Sequence, residues 1–423
     1  MYNCYVYMEV VRSRYRYKKN QPTKKESRLK RYRIHLLVIF FVGIILSYSC
    51  LALNKPVSAV TLNKSTINKV QPSLAEIIWP SVGQGAIGDR DDGIYQLMNN
   101  SDEVAPIASM SKLITALVIL EKSPIEQSSQ GEIYTITQDD INIYYNYVVK
   151  LGSVMPVQLG QKITQYDLLQ GLLLPSGNNA ADYLAVWKFG SIENYKKYAN
   201  EYLARHDLSK THVDDASGFS PQTVSSPSDM IKIGQLALQN ETISQIVIKQ
   251  SAVIPGSGEI KNVNRMLTDQ NVVGLKTGST DEAGKCLIFA VKHGPNLSHT
   301  FIGVIMGQSN WSELYSSARS MTQSALANFG NVEVLSAQTS VGNAETRWGE
   351  ASNLIIKQPL EIYGWKSKSY ETRLDIETLK APKKTGEKVG KVYLADNSNT
   401  SQDIFLENSL SRPDIFWRLT NYW

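Results

Sequence analysis

Residues 34–53, IHLLVIFFVGIILSYSCLAL, carry no formal charge, and they divide the chain before any fold is considered. About twenty such residues suffice to cross a bilayer as a helix. Just ahead of them, residues 1–35 hold eleven Lys/Arg against Glu9 and Glu26, a local charge of +9. A basic flank on one side of an apolar run sets its orientation, with the N-terminus cytoplasmic and everything beyond residue 53 outside. The reading is a basic cytoplasmic tail at 1–33 and an uncleaved anchor in the cytoplasmic membrane at 34–53. The rival is a cleaved signal, because Val57-Ser58-Ala59 has the small-residue pattern of a cleavage site; the protein is then secreted after Ala59. In both readings the main body is extracytoplasmic.

The whole chain carries +5, so the 388 residues after the basic block carry −4. A mildly acidic body argues against nucleic acid as a partner. With 42% apolar and 20% charged residues, the composition is globular and excludes a disordered, collagen-like or multi-span chain. Cys4, Cys50 and Cys286 form no CxxC, and the five histidines are scattered, so neither a disulfide framework nor a metal site is expected.

Residues 54–73, polar with two prolines, read as a linker. Strands are expected at Leu74–Trp79 and, after Asp91-Asp92-Gly93, at Gly93–Met98. Leu113, Ala116, Leu117 and Leu120 recur at helix spacing and predict a helix over 109–122. Thr164 with Asp167 resembles a capping pair opening a helix through Leu174. Pro175-Ser176-Gly177 breaks it, and Asn179–Phe189 is the next helix, ended by Gly190. Further helices are expected at 227–239 and 313–329. Between them Val272–Gly278, Cys286–Lys292 and Thr300–Met306 predict an antiparallel meander. The result is an α/β (α+β) domain at 74–330, with an antiparallel sheet and flanking helices. Short strands such as Asn353–Ile356 and Val389–Leu394 then give a small all-β domain at 331–410. Residues 411–423 form an aromatic tail, suited either to a membrane surface or to packing on the β-domain.

Three short elements carry chemistry. Ser109-Met110-Ser111-Lys112 is an S-x-x-K at a helix start. A serine hydroxyl is a weak nucleophile that needs a base, and spacing of three puts Lys112 on the face of Ser109. Ser176-Gly177-Asn178 lies in a break between helices, where a hydroxyl and an amide can project into a cleft. Lys276-Thr277-Gly278 ends an apolar strand, offering a positive charge, a hydroxyl and a glycine that lets a ligand approach the backbone. Each alone is common: Ser27-Arg28-Leu29-Lys30 repeats the first and Lys384-Thr385-Gly386 the third. In this order, 67 and then 100 residues apart, they are the trio of β-lactamases and penicillin-binding proteins. Two decoys are set aside. Gly83-x-Gly85-x-x-Gly88 matches a dinucleotide fingerprint but is followed by turn residues rather than a helix. Cys286 in an apolar strand reads as a core thiol.

On this trio the chain resembles the low-molecular-mass penicillin-binding proteins, the serine D-alanyl-D-alanine carboxypeptidases of peptidase family S11. The resemblance spans about residues 74–410. It extends to Pro106-Ile107-Ala108, Asn179-Ala180-Ala181, Asp215-Ala216-Ser217-Gly218, Asp281-Glu282-Ala283-Gly284 and Ala381-Pro382-Lys383-Lys384-Thr385-Gly386. It implies a transpeptidase-like fold and cleavage of the terminal D-Ala-D-Ala bond of peptidoglycan stem peptides, with β-lactams as covalent inhibitors and no cofactor or metal. It also implies roles: Ser109 as nucleophile, Lys112 as general base and Ser176 as proton relay. Asn178, Lys276, Thr277, Gly278 and Ser279 would bind substrate, the backbone N–H groups of Ser109 and Ser279 forming the oxyanion hole. The chain departs from many relatives in one respect: residues 307–318 lack the arginine that helps bind the substrate carboxylate, and Arg319 comes late. DD-endopeptidase action, a β-lactamase and a non-catalytic wall-binding protein are the alternatives. The β-lactamase lacks its E-x-x-L-N glutamate here.

Overall fold

Cys286-Leu287-Ile288-Phe289-Ala290-Val291 contains no polar residue to turn toward water, so a strand made from it must be covered on both faces. The computed structural model describes residues 24–57, 60–64, 75–126 and 128–421 and shows what supplies that cover. Its main elements, in chain order, are α1 (Lys24–Asn54), β1 (Thr61–Lys64), β2 (Gln84–Asp89), β3 (Gly93–Leu97), α2 (Lys112–Lys122), α3 (Gln138–Val149), α4 (Gln165–Leu173), α5 (Asn178–Phe189), α6 (Ile192–Arg205), α7 (Pro227–Gln239), α8 (Glu241–Val247), β4 (Val272–Thr280), β5 (Gly284–His293), β6 (His299–Gln308), α9 (Trp311–Leu326), β7 (Ser340–Glu345), β8 (Ala351–Ile356), β9 (Thr372–Ile376), β10 (Lys388–Leu394), β11 (Asn397–Leu406) and α10 (Ile415–Thr420). They form two units, one of residues 69–334 and 361–370, the other of residues 1–68, 335–360 and 371–423.

In the first unit, β4-β5-β6-β2-β3 make a five-stranded sheet with antiparallel neighbours throughout, so the expected meander forms. Alternate residues of β5 take opposite faces. Ile288 and Ala290 join Ile302 and Val304 against Leu113 and Leu117 of α2 and Met230 and Ile231 of α7. Leu287 and Phe289 join Phe301 and Ile305 against Leu314, Ala318 and Met321 of α9. The sheet is thus the middle of three layers. Burying each of the Leu, Ile, Val, Met and Phe side chains among them contributes about 1.5–3 kcal/mol. The helix boundaries follow their caps: Thr164 Oγ1 accepts the Asp167 N–H at 3.1 Å, and Gly190 closes α5 in the left-handed region.

The expected strand Leu74–Trp79 does not form. Residues 75–79 have no regular structure, because their backbone is satisfied by side chains. Asn328 Oδ1 accepts from Ala75 N at 2.7 Å, and Ser324 Oγ accepts from Ile78 N at 2.9 Å. Leu74 lies outside the described residues. The helix expected at 313–329 runs over Trp311–Leu326, opened by the Asn310 side chain. Residues 361–370, expected within the β-domain, run with the first unit; Trp365 stacks on Tyr95 at 4.8 Å.

In the second unit, β1-β7-β8-β11-β10-β9 form a six-stranded sheet. Its edge strand β1 comes from the segment read as a linker, pairing Thr61 with Glu345 through to Lys64 with Gly342. With no apolar alternation in Thr61-Leu62-Asn63-Lys64, nothing local announces it. In the aromatic tail, α10 sets Trp417 edge-on to Trp348 at 5.7 Å and lies against α1, where Tyr48 Oη donates to the Leu419 carbonyl at 2.6 Å. Within α1, residues Arg28–Asn54 are long and apolar enough to cross a membrane. Ser58 and Ala59 of the cleavage pattern lie outside the described residues.

Candidate active site

Ser109 sits in the 3₁₀ turn Ala108–Ser111, immediately before α2 begins at Lys112. Three residues per turn stack positions i and i+3, and Lys112 Nζ stands 2.8 Å from Ser109 Oγ. The amine also donates to Asn178 Oδ1 at 2.7 Å and to the Ser217 carbonyl at 2.6 Å. Both of those partners can only accept. A neutral amine has two N–H groups and one lone pair, so with the N–H groups given to Asn178 and Ser217 the lone pair faces the Ser109 hydroxyl. Burial favours this state. Lys112 is fully buried, and desolvation pushes its ammonium down to about 7, against the raising effect of Asp215 and Asp182.

Ser176 and Asn178 bridge the break between α4 and α5. Ser176 is held at φ +64, a conformation that costs free energy for a residue with a Cβ and recurs at functional sites. From β4, Lys276 Nζ donates to Ser176 Oγ and to the Thr277 carbonyl, both at 3.0 Å. Lys276 is as buried as Lys112, and burial followed by the Lys112 charge drives its ammonium well down. All three motifs therefore meet at one point. Gly278, expected to give a ligand room, first gives room to the turn that carries Ser109. A Cβ there would stand 2.7 Å from the Ile107 carbonyl and 3.1 Å from Met110 N. Ser279 is exposed and its Oγ accepts from Lys285 Nζ at 2.7 Å.

A cavity of about 250 Å³ opens over these groups, lined by Ser109, Ser176, Thr277, Gly278 and Ser279 together with Ser153, Val263, Arg265, Trp311 and Tyr315. Sequence reasoning missed that last set, which comes from separate segments, with Trp311 and Tyr315 in the first turns of α9 and no motif to tie them to the trio. It also gave no role to the support behind Lys112. Asp215 accepts from the N–H groups of Ser217, Gly218 and Phe219 and from the hydroxyls of Ser217 and Thr223; this folds the loop that presents the Ser217 carbonyl. Asp182, one turn along α5 from Asn178, accepts from Tyr147 Oη at 2.9 Å, and burial raises its carboxyl to about 7. An acid inside the apolar run Ala180-Ala181-Asp182-Tyr183-Leu184 was the available signal.

The decoys resolve simply. Gly83–Gly88 leads into β2, with no helix after it. Lys384-Thr385-Gly386 is a turn, and Ser27–Lys30 belongs to α1. Cys286 is a core thiol that burial pushes up to about 11. The late Arg319 is held by Asp269, at 2.7 and 3.2 Å, and does not line the cavity.

The family model for peptidase S11, described as D-alanyl-D-alanine carboxypeptidase, matches residues 87–310, more than half of the chain. The D-alanyl-D-alanine carboxypeptidase DacD of Salmonella typhimurium is 24% identical over 356 residues, covering 81% of this chain and 90% of the relative. A D-alanyl-D-alanine endopeptidase of Haemophilus influenzae is 31% identical over 235 residues, 54% of this chain and 75% of the relative. In three dimensions, penicillin binding protein 5 of Haemophilus influenzae superposes over 81% of this chain and 100% of its own with a TM-score of 0.56 at 23% identity, a likeness of fold.

Proposed function

The chain belongs to the D-alanyl-D-alanine carboxypeptidase family of serine peptidases, and from that membership we propose that it is a serine-type D-Ala-D-Ala carboxypeptidase (EC 3.4.16.4) acting on peptidoglycan stem peptides outside the cytoplasmic membrane. One observation carries the reading: Lys112 Nζ, buried and with both N–H groups given to acceptors, stands 2.8 Å from Ser109 Oγ. Ser109 Oγ attacks the carbonyl between the two D-alanines as Lys112 takes its proton. The tetrahedral oxyanion is held by the backbone N–H groups of Ser109 and Ser279, an arrangement whose removal typically costs on the order of 10²–10³ in rate. Ser176, hydrogen-bonded to Lys276, relays the proton held by Lys112 to the departing D-alanine amine, giving up its hydroxyl proton as it receives that one, so that Lys112 is neutral again. Asn178 and Thr277 orient the peptide. Water then attacks the acyl-enzyme, its proton returning through Lys112, and Ser109 is regenerated. A β-lactam acylates Ser109 in the same way.

The anchor reading joins this one. The 27 apolar-rich residues Arg28–Asn54 hold the second unit to the outer face of the membrane, a single-pass arrangement. The endopeptidase reading has the Haemophilus influenzae relative in its favour, since one Ser–Lys site serves either bond. A β-lactamase must activate a deacylating water, and no carboxylate is among the described residues lining the cavity.

The test is D-alanine release from a peptide ending in Lys-D-Ala-D-Ala by the detergent-solubilised full chain, with Ser109→Ala beside it. Release by the parent that vanishes in the variant is the expected result, along with labelling by fluorescent penicillin of the parent alone. Penicillin turnover at a β-lactamase rate, without D-alanine release, would overturn the reading.

A further inference from the structure

A free C-terminal carboxylate entering this cavity needs a cation, and Lys276 is badly placed to be one. It is buried, with its N–H groups given to Ser176 Oγ and the Thr277 carbonyl, and a charge there is opposed by burial and by Lys112. Arg319 is tied to Asp269. Lys285 is engaged with the Ser279 hydroxyl and is not among the residues lining the cavity.

Arg265 has none of these commitments. It lines the same cavity as Ser109, Thr277 and Ser279, its side chain is exposed, and among the described residues no carboxylate pairs with it. Its backbone is fixed: Arg265 N donates to Tyr315 Oη at 3.3 Å, and the buried Asn264 caps the turn Arg265–Thr268 by accepting from Met266 N at 3.1 Å. A guanidinium is a permanent cation whose planar fork matches a carboxylate through two parallel N–H···O bonds. We infer that Arg265, reaching in from the turn before β4, binds the terminal carboxylate of the substrate and makes the enzyme selective for a free C-terminus. The inference rests on the carboxypeptidase reading above. Arg265 touches the substrate at its far end and not at the reacting carbonyl, so its effect falls on KM.

The experiment compares full-length parent, Arg265→Gln, Arg265→Lys and Lys285→Gln on diacetyl-Lys-D-Ala-D-Ala and on its C-terminal amide, measuring kcat and KM for each. The ratio of kcat/KM for free acid over amide is expected to fall on the order of 30-fold in Arg265→Gln, mostly through KM. Arg265→Lys, which keeps the charge but loses the fork, recovers part of it. An unchanged ratio in Arg265→Gln, or the same collapse in Lys285→Gln instead, overturns the inference while leaving the carboxypeptidase reading intact. If the parent releases no D-alanine, that reading fails. Acylation by benzylpenicillin against its methyl ester then tests Arg265 alone: the parent's preference for the free acid is lost in Arg265→Gln if the inference holds and retained if it does not.

Discussion

Lys112 has three polar neighbours and, as a neutral amine, two N–H bonds to offer, so in the proposed mechanism its protonation state decides whether Ser109 has a base. With its ammonium pushed down to about 7 by burial, the amine is free above that pH and protonated below it. Acylation by penicillin is therefore expected to rise tenfold per pH unit up to a midpoint near 7 and then level off, read from rates across pH 5–9. Lys112→Arg puts a group there that does not deprotonate, so acylation should drop by about 10²–10⁴ on the plateau above pH 7 and lose its acid limb. Asp182 adjoins this site through charge: its carboxylate favours the ammonium of Lys112. Asp182→Asn keeps an acceptor for Tyr147 Oη but removes a charge that this carboxyl, itself raised to about 7, carries mainly above that pH, so the neutral amine gains and the midpoint moves modestly to lower pH. A purely structural role would lower the rate equally at all pH values and leave the midpoint in place. That Ser109–Lys112, Ser176–Asn178 and Lys276–Gly278 meet was legible in the sequence because the three motifs keep their residue types and order. The Ser217 acceptor was not, since a backbone carbonyl leaves no letter.

Among the elements, the contact that assembles the site is β4 against the turn Ala108–Ser111. It closes only because position 278 has no Cβ; an added methyl group meets the Ile107 carbonyl at 2.7 Å, and strand or turn must move. Gly278→Ala is expected to lose about 1–3 kcal/mol of stability and more than tenfold in acylation, seen by thermal unfolding and by penicillin labelling. Thr164→Ala is the matched contrast. It removes the cap of α4 at a cost of about 1 kcal/mol and should leave the acylation rate at the parent value. If both variants lowered acylation in proportion to stability, the special place of Gly278 would be refuted. The meander and the helices α2, α4, α5 and α7 could be read from periodicity, caps and breakers, which are local. What could not be read was set by distant partners. The segment 75–79 is apolar enough for a strand, but Asn328 and Ser324 take its N–H groups. Thr61–Lys64 looks like linker yet adds an edge to β7.

For the molecule as a whole, the question is whether residues 34–53 are retained, and the second unit bears on it. The end of α1 is built into that unit. Ala52 is buried, Tyr48 Oη donates to the Leu419 carbonyl at 2.6 Å, and Arg418 donates to the Leu53 carbonyl. Cleavage after Ala59 would remove all of these partners from α10 and leave its Ile415 and Phe416, already exposed, as the remainder of an apolar surface. A helix discarded as a signal has no reason to carry such contacts, whereas a retained anchor uses them to fix its outer end. The full chain is therefore expected in the membrane fraction after an alkaline carbonate wash, with an intact mass that includes residues 1–59. A soluble product beginning at Val60 would show that the segment is a signal. The same argument sets the boundary of a soluble form. A fragment beginning at Val60 keeps β1, while one beginning at Ala75 strips it and bares the Gly342–Glu345 edge of β7. An uncovered strand edge invites pairing between copies, so the shorter fragment should unfold at lower temperature and self-associate, by calorimetry and light scattering, where the longer one stays monodisperse.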